Sequence, residues 1–147
     1  MSPSDSAEPV AAPALGAMPK TAAGARELYD SWAADGYDTA LTSWDYPAPR
    51  RVAETLKAAG VSSDTRILDV GCGTGLSGEA LRALALGKAG GIVGIDISAV
   101  SCKLALEKGC YAETKEGNLD EALPFADASF GAVACCGVMS CALPHAG

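Results

Sequence analysis

Aromatic side chains, histidine and membrane-length apolar runs are all scarce or missing in this sequence. Phe, Trp and Tyr together make up 5% of the 147 residues, so we expect a core built mainly from small and branched aliphatic side chains. A single histidine, His145, and the lack of any CxxC pair leave a zinc site without its usual ligands. No apolar run approaches the roughly 18 residues that a membrane-spanning helix needs, so the sequence predicts no such helix.

Positive charge is also in short supply. The chain has 11 Lys and Arg against 18 Asp and Glu, a formal net charge of −7. Such a surface repels phosphate backbones and anionic lipid head groups, so we expect neither a nucleic acid nor a membrane as partner. The same field favours a cationic ligand. With 49% hydrophobic residues the chain has enough apolar surface to fold, and its length fits one domain.

The six cysteines do not form the pattern of a disulfide-stabilised domain. The chain is long for such a scaffold and no segment resembles a secretory signal, so we expect reduced thiols. Residues 1–20 are rich in Pro, Ser and Ala without periodicity, which predicts a disordered tail ahead of a folded domain over residues 21–147. That tail also lacks the arginines of a transit peptide, so we expect a cytoplasmic location.

Two helices are predicted before the first strand. A helical pattern starts near Ala23 and stops at Gly36. A second helix starts after Pro47 and Pro49, because proline suits the start of a helix. It ends at Gly60, since glycine adopts the left-handed conformation that closes many helices. These segments form an N-terminal helical lead-in.

Strands and helices then alternate along the chain. Short apolar runs predict strands, and the segments between the first three of them have helical periodicity, with Ser98 as the cap of the second of these helices. The predicted strands are 66–70, 91–96, 111–115 and 130–135, and the predicted helices are 77–86 and 98–108. Strands joined by helices pair in parallel through right-handed crossovers, which predicts an α/β sheet with helices on both faces.

Ligands of such sheets bind beyond the carboxyl ends of the strands. After the first strand, the loop from Asp69 to Gly75 contains Gly71 and Gly73 as well, and glycines let a ligand lie against the backbone. Asp96 closes the second strand, where a carboxylate can accept hydrogen bonds from a ribose diol. The pair predicts a nucleoside ligand.

Two kinds of nucleoside fit this pattern. Gly73, Gly75 and Gly78 match the dinucleotide fingerprint GxGxxG, but that spacing leaves Asp69 inside a buried strand, where an unpaired carboxylate is costly. If the glycines are instead matched as GxGxG, Asp69 comes at the mouth of the strand and faces the ligand. Its charge would then oppose a pyrophosphate and suit a sulfonium or ammonium group. We therefore favour a sulfonium nucleoside over a nicotinamide dinucleotide.

Four blocks of the sequence resemble the class I S-adenosylmethionine-dependent methyltransferases: YDSWAADGYDTAL, ILDVGCGTG, GIDIS and LPFADASFGAV. The likeness runs from Leu28 to about Leu143. Of the subgroups, the sequence looks like the methyltransferase-like proteins of the Williams–Beuren region type. The family has a Rossmann-like sheet of seven strands in the order 3-2-1-4-5-7-6. The resemblance therefore implies a partial sheet with the order 3-2-1-4, truncated at the C-terminus.

The resemblance also implies a site for the cofactor S-adenosyl-L-methionine. Asp96 would hold the ribose and Ile97 would pack on the adenine, while the other implied contacts fall into four groups. These are the loop residues Asp69, Gly71, Cys72, Gly73 and Gly75 around the methionine part, Asn118 and Leu119 at the adenine amino group, Cys136 at the amino acid end, and Tyr29, Trp32 and Tyr37 as part of a helical lid.

Three functional hypotheses follow. The first is methyl transfer to a small-molecule acceptor, with no catalytic base or metal that the sequence identifies. The second is an inactive truncated product that acts as a weak cofactor-binding or interaction module. The third is a nicotinamide-dependent oxidoreductase. In a partial sheet the uncharged run FGAVACC would form an open edge, which predicts self-association through the fourth strand.

Overall fold

A computed structural model describes residue 19 and residues 21–35 and 46–136. Four parallel strands form one sheet with the order β3-β2-β1-β4, as the sequence predicts. The strands are β1 (Ile67–Val70), β2 (Ile92–Asp96), β3 (Glu113–Glu116) and β4 (Ala132–Cys135). Of the predicted disordered tail, only Pro19 is among the described residues. Tyr37 and His145 lie outside them.

Four helices accompany the sheet within the described part of the chain. They are α1 (Ala22–Asp35), α2 (Ala48–Ala58), α3 (Leu76–Ala83) and α4 (Ala99–Glu107). Gly60 follows α2 with a φ of +96°, which confirms its predicted role in ending that helix. The Ser98 side chain accepts a hydrogen bond from the Ser101 N–H, so the predicted cap of α4 is also confirmed. None of these helices is long and apolar enough to cross a membrane.

Two predicted boundaries differ from the structure. Helix α3 ends at Ala83, earlier than predicted, because the chain turns at Ala85 with a φ of +58° and the Leu86 N–H bonds back to the Leu81 carbonyl. Strand β3 begins at Glu113 and leaves Tyr111 outside the ladder. The ring of Tyr111 is buried instead beneath the loop that follows β1.

One face of the sheet carries the main core. Ile67 and Ile92 are register partners on this face, and both are buried. Helices α2, α3 and α4 each add a buried side chain to the same cluster, namely Ala53, Leu81 and Ala105. These small and branched aliphatic residues form the core type that the composition predicts. Helix α1 packs against α4 rather than on the sheet.

The other face is covered by a loop. Its cluster of Leu68, Val93 and Ile95 packs against Phe125 and Phe130, and no helix among the described residues contributes to it. The prediction of helices on both faces is therefore wrong for this part of the chain. The crossovers through α3 and α4 step in the same direction across the sheet, so they share one face. The return from β3 to β4 passes over the opposite face, where residues 117–131 form no helix.

Strand β4 forms one edge of the described sheet. On β4, Val133 is 57% exposed and Cys135 is exposed as well. Within residues 46–136 no strand pairs with the outer side of β4. The position of β4 next to β1 agrees with the predicted strand order.

Candidate functional site

The loop between β1 and α3 is shaped by glycines with positive φ. Gly73 has a φ of +52°, and a Cβ built there would meet no atom within 4 Å, so its backbone borders open space. Gly75 has a φ of +100°, and a Cβ there would lie 3.1 Å from the Ala105 Cα. Any side chain at Gly75 would therefore push the loop away from α4. The result is a stretch of bare backbone that a ligand can approach closely.

Asp96, at the end of β2, is tied to this loop by its carboxylate. Its Oδ2 accepts from the Gly73 N–H and its Oδ1 from the Ser98 N–H, both at 2.9 Å. A carboxylate has about four lone-pair directions, so each oxygen retains room for a further donor such as a ribose hydroxyl. Burial, and secondarily the charge of Asp30, raise the pKa of Asp96, while hydrogen bonds from the backbone of Ser98, Gly73 and Ile97 oppose that rise.

Asp69 is fully buried, with 0% of its surface exposed. It lies within β1 on the same side as Ile67, so its carboxylate sits in the helical-face interior. Oδ2 accepts from the Tyr111 hydroxyl at 2.6 Å, whereas Oδ1 has no hydrogen-bond partner. The expectation that Asp69 is exposed at the mouth of the strand is therefore wrong, and a contact between its carboxylate and a ligand stays a proposal. Tyr111, which the sequence argument did not anticipate, gives the buried carboxylate a partner.

The electrostatic state of Asp69 follows from its burial. The pKa of Asp69 is raised to about 7 as the net result of three effects: loss of solvent raises it most, the Tyr111 hydrogen bond lowers it, and the nearby negative Asp96 raises it. A buried carboxylate with one unpaired oxygen favours any cation that reaches it. The pair of acids thus gives this edge of the sheet a local preference for positive charge.

Tyr111 connects the two ends of the glycine loop. Its hydroxyl donates to Asp69 in β1 and accepts from the Gly78 N–H in α3 at 3.0 Å. Its ring fills the space that Gly78 and Gly94 leave, since a Cβ at Gly78 would lie 2.4 Å from the ring. The signal in the sequence was indirect, because Gly78 and Gly94 interrupt a helix and a strand where a Cβ would otherwise be expected.

Helix α1 approaches the site from the side of β2. Asp30 accepts a hydrogen bond from the buried Ser98 hydroxyl, and the Arg26 Nε donates to the Ile97 carbonyl at 3.2 Å. Burial, and secondarily the charge of Asp96, raise the pKa of Tyr29. The rings of Tyr29 and Trp32 stack with centroids 6.2 Å apart. Of the three predicted lid residues, the structure therefore brings Tyr29 near Asp96, with Trp32 beside it.

The segment after β3 also returns to Asp96. The Gly117 N–H donates to the Asp96 carbonyl at 2.8 Å, which holds the following Asn118 near the carboxyl edge of the sheet. The Asn118 Oδ1 already accepts from the Asp120 N–H at 3.0 Å, so its amide closes a turn. Leu119 is 36% exposed.

A small cleft, open to solvent, lies beside the glycine loop. Three predicted loop residues, Gly71, Cys72 and Gly73, line it together with Cys136. Tyr46 and Pro49 from the start of α2 close the opposite side, and the sequence argument had assigned neither of them to the site. Five of the cysteines are described and all are free thiols, as expected. No group of three or more His, Cys, Asp or Glu in the described ranges could hold a metal ion.

These features fit a cationic nucleoside of the sulfonium type. The open backbone at Gly73 leaves room for such a ligand, and the spare acceptor directions of Asp96 suit a ribose diol. The carboxylates are less suited to a pyrophosphate, which they would repel.

Comparison with known sequences gives two matches. Residues 67–146 match a family described as "Methyltransferase domain". The human methyltransferase-like protein 27 is 35% identical to the chain over 116 residues, which cover 77% of this chain and 46% of the human protein. The chain therefore spans about half the length of this curated relative.

Solved structures share the fold. A chain of the complex between the Haloferax volcanii Trm112 methyltransferase activator and a methyltransferase is 28% identical, with a TM-score of 0.58 and coverage of 73% of this chain and 46% of that one. Streptomyces venezuelae DesVI has a TM-score of 0.51 at 24% identity, and the match covers 69% of this chain and 42% of that one. A SAM-dependent methyltransferase from Aquifex aeolicus has a TM-score of 0.50 at 20% identity, and the match covers 66% of this chain and 55% of that one. At these lower identities the likeness concerns the fold alone.

Proposed function

Because this chain belongs to the class I S-adenosylmethionine-dependent methyltransferase family, we propose that it acts in methyl transfer from S-adenosylmethionine to a small-molecule acceptor. The observation that carries the proposal is the open glycine loop that Asp96 holds, next to the buried Asp69 with one unpaired oxygen. A positively charged ligand is the natural partner of such a group. A cytoplasmic location stays a prediction.

The proposed cofactor contacts follow the geometry of the carboxyl edge. Asp69 and the loop residues Gly71, Cys72, Gly73 and Gly75 would receive the methionine end, and Cys136 borders the same cleft. Asp96 would hold the ribose. The adenine would lie near Ile97, Asn118 and Leu119, under Tyr29 and Trp32. Tyr37, also proposed for the lid, lies outside the described residues.

The protein's contribution to methyl transfer is mainly positional. The cofactor, when bound, supplies an electrophilic methyl group on a positively charged sulfur. The glycine loop and Asp96, joined by a hydrogen bond, would orient the donor, and the stacked aromatic pair on α1 would limit access of water to it. Holding donor and acceptor on one axis contributes on the order of 7 to 11 kcal/mol to rate acceleration in such reactions. No residue is assigned as a general base.

A small-molecule acceptor agrees with the charge of the chain. The net charge of −7 disfavours RNA as acceptor. One structural relative forms a complex with a methyltransferase activator. The experiment below therefore tests protein as well as small molecules as the acceptor.

A second candidate function is favoured by the open edge of the described sheet. The outer side of β4 is unpaired within residues 46–136. With this edge open, the protein would act as a weak cofactor-binding or interaction module without turnover. Its open edge would favour self-association through β4.

Two measurements test these proposals. Calorimetry with S-adenosylhomocysteine should give heat at high micromolar ligand, whereas NADH as a matched nucleotide control should give none. Methyl-labelled S-adenosylmethionine is then incubated with the chain and with separate pools of metabolites, RNA and protein. Label in the metabolite pool supports a small-molecule acceptor. Binding without label in any pool supports the module, and no binding of S-adenosylhomocysteine contradicts both.

A further inference from the structure

Tyr111 occupies a space that three glycines of the site create. A Cβ at Gly78 would lie 2.4 Å from the Tyr111 ring, one at Gly94 would lie 3.1 Å from it, and one at Gly75 would lie 3.2 Å from it. Gly78 belongs to α3, Gly94 to β2 and Gly75 to the loop, so the ring packs against all three of these segments. Only 6% of Tyr111 is exposed.

The hydroxyl at the end of this ring makes two directed hydrogen bonds. It donates to the Asp69 Oδ2 at 2.6 Å and accepts from the Gly78 N–H at 3.0 Å. Burial and the neighbouring Asp69 raise the pKa of Tyr111 well above its ordinary value, so the hydroxyl keeps its proton and remains a donor. The Asp69 carboxylate thus has one oxygen held by Tyr111 and one left without a partner.

The groups around Asp69 leave Tyr111 as its one hydrogen-bond donor among the described residues. Asp96 faces Asp69 from the end of β2 and opposes its ionisation. Cys72 in the loop, together with Cys135 and Cys136 at the end of β4, also interacts electrostatically with it, and each has a pKa raised above the ordinary thiol value. As neutral thiols they contribute no positive charge. The ionised form of Asp69 therefore depends on Tyr111 and on any cation that binds.

We propose that Tyr111 is a positioning residue for the cofactor: its hydroxyl holds the Asp69 carboxylate ionised and aligned for the cofactor's positive charge, and so sets the pH above which the cofactor binds tightly. This inference rests on the proposed function, because it concerns the same site. It assigns to Tyr111 a role that goes beyond filling the core.

The sign of the pH effect follows from the hydrogen bond. A donor to a carboxylate stabilises its charged form, and the Tyr111 bond accordingly lowers the pKa of Asp69 against the effect of burial. Removing the hydroxyl should therefore raise the pKa of Asp69 further, because it removes the hydrogen bond that lowers this pKa. Binding of a cation needs the ionised carboxylate. In the variant, affinity for a cation therefore increases at a higher pH than in the unmodified protein.

The experiment compares the full chain with Tyr111→Phe by calorimetric titration with S-adenosylhomocysteine, whose amino group is cationic, between about pH 5.5 and about pH 8.5. We expect the midpoint of affinity against pH to move upward and the affinity at neutral pH to fall about tenfold, as loss of one charge-assisted hydrogen bond implies. Proton release on binding, measured in buffers of different ionisation heat, should increase at neutral pH.

Thr114→Val is the matched control. It removes another partly buried hydrogen bond, which the Thr114 hydroxyl in β3 donates to the Cys102 carbonyl at 2.9 Å. We expect it to lower stability and leave the midpoint unchanged. An equal loss of affinity at every pH in Tyr111→Phe, or an unchanged midpoint, would overturn the proposal and leave Tyr111 a packing residue.

A second modification covers the case in which Tyr111→Phe does not fold. Replacing Tyr111 with 3-fluorotyrosine keeps both hydrogen bonds and makes the hydroxyl a stronger donor, so the midpoint should move downward. A midpoint that stays in place or moves upward contradicts the proposal. If the unmodified chain binds no S-adenosylhomocysteine at any pH, the proposed function fails first, and that result is distinct from failure of this inference.

Discussion

The Asp96 carboxylate accepts a hydrogen bond from the Gly73 N–H at 2.9 Å. This bond joins the end of β2 to the glycine loop that follows β1, so two features that are 23 residues apart in the sequence form one unit. A loop with several positive-φ glycines is intrinsically flexible, and the carboxylate holds it in one conformation. Asp96 therefore shapes the loop as well as offering an acceptor to a ligand.

Asp96→Asn should weaken cofactor binding through both effects. The amide has one acceptor oxygen for two backbone donors, and its NH₂ group would face one of those N–H groups. We expect affinity for S-adenosylhomocysteine to fall by at least about tenfold in calorimetry. The control is Asp64→Asn, an exposed carboxylate in the turn before β1. Equal affinities of the two variants would show that Asp96 does not contribute to the site.

The strand order and the place of the site were predictable because they depend on local patterns. Apolar runs separated by helical segments predict parallel strands, and the glycines and Asp96 mark the carboxyl edge. The partnership of Asp69 with Tyr111 was not predictable, because the residues are 42 positions apart and Tyr111 fitted a strand by its composition. With Asp69 buried inside β1, the spacing of the glycines alone does not exclude a dinucleotide, and the family assignment rests on the matches.

The covering of the sheet shows a second limit. Right-handed crossovers account for helices on one face, but nothing local in residues 117–131 indicates that a loop, anchored by Phe125 and Phe130, covers the other. The Phe rings meet edge to face at 5.2 Å, with Arg66 and Lys115 over them. Such contacts depend on where β4 pairs, which is a long-range property.

Asp69 should make the protein without cofactor less stable as pH rises. Its pKa is about 7 in the folded state against 3.8 for the free side chain, so the folded state holds more protons between these values. The free energy of unfolding then falls with increasing pH across that interval, by up to about 4 kcal/mol at 1.36 kcal/mol per pKa unit. Asp69→Asn should remove this part of the slope in urea denaturation at about pH 5 and about pH 8.

The raised pKa of Asp96 acts with the same sign and stays in that variant, so a smaller slope should remain. Asp69→Asn is therefore compared with the unmodified protein at each pH rather than alone. If both lose the same stability between the two pH values, Asp69 is already ionised in the folded state.

Gly78→Ala should destabilise the fold although alanine favours a helix. The added Cβ would lie 2.4 Å from the buried Tyr111 ring, which has no room to move. Overpacking of this kind costs about 1–3 kcal/mol, more than the roughly 1 kcal/mol gained from helix propensity. Gly109→Ala is the control, since its Cβ would meet no atom within 4 Å and only its φ of +76° is unfavourable. Thermal unfolding of both variants checks the difference. A Gly78→Ala variant more stable than the unmodified protein would contradict the tight packing of Tyr111.

Val133→Lys should reduce self-association of the chain. Val133 is 57% exposed on β4, the edge strand of the described sheet, and the strand contains no charged residue to oppose pairing with another copy. Lysine on an edge strand discourages such pairing, because joining two sheets would bring like charges together and bury them. Sedimentation velocity over a range of concentrations should show the unmodified chain shifting to larger species and the variant remaining monomeric.

Leu106→Lys is the matched control, since Leu106 is 46% exposed on α4, away from that edge. If Leu106→Lys disrupts association as much as Val133→Lys, general hydrophobicity rather than the β4 edge drives it, and a monomeric unmodified chain at all concentrations would exclude association through this strand.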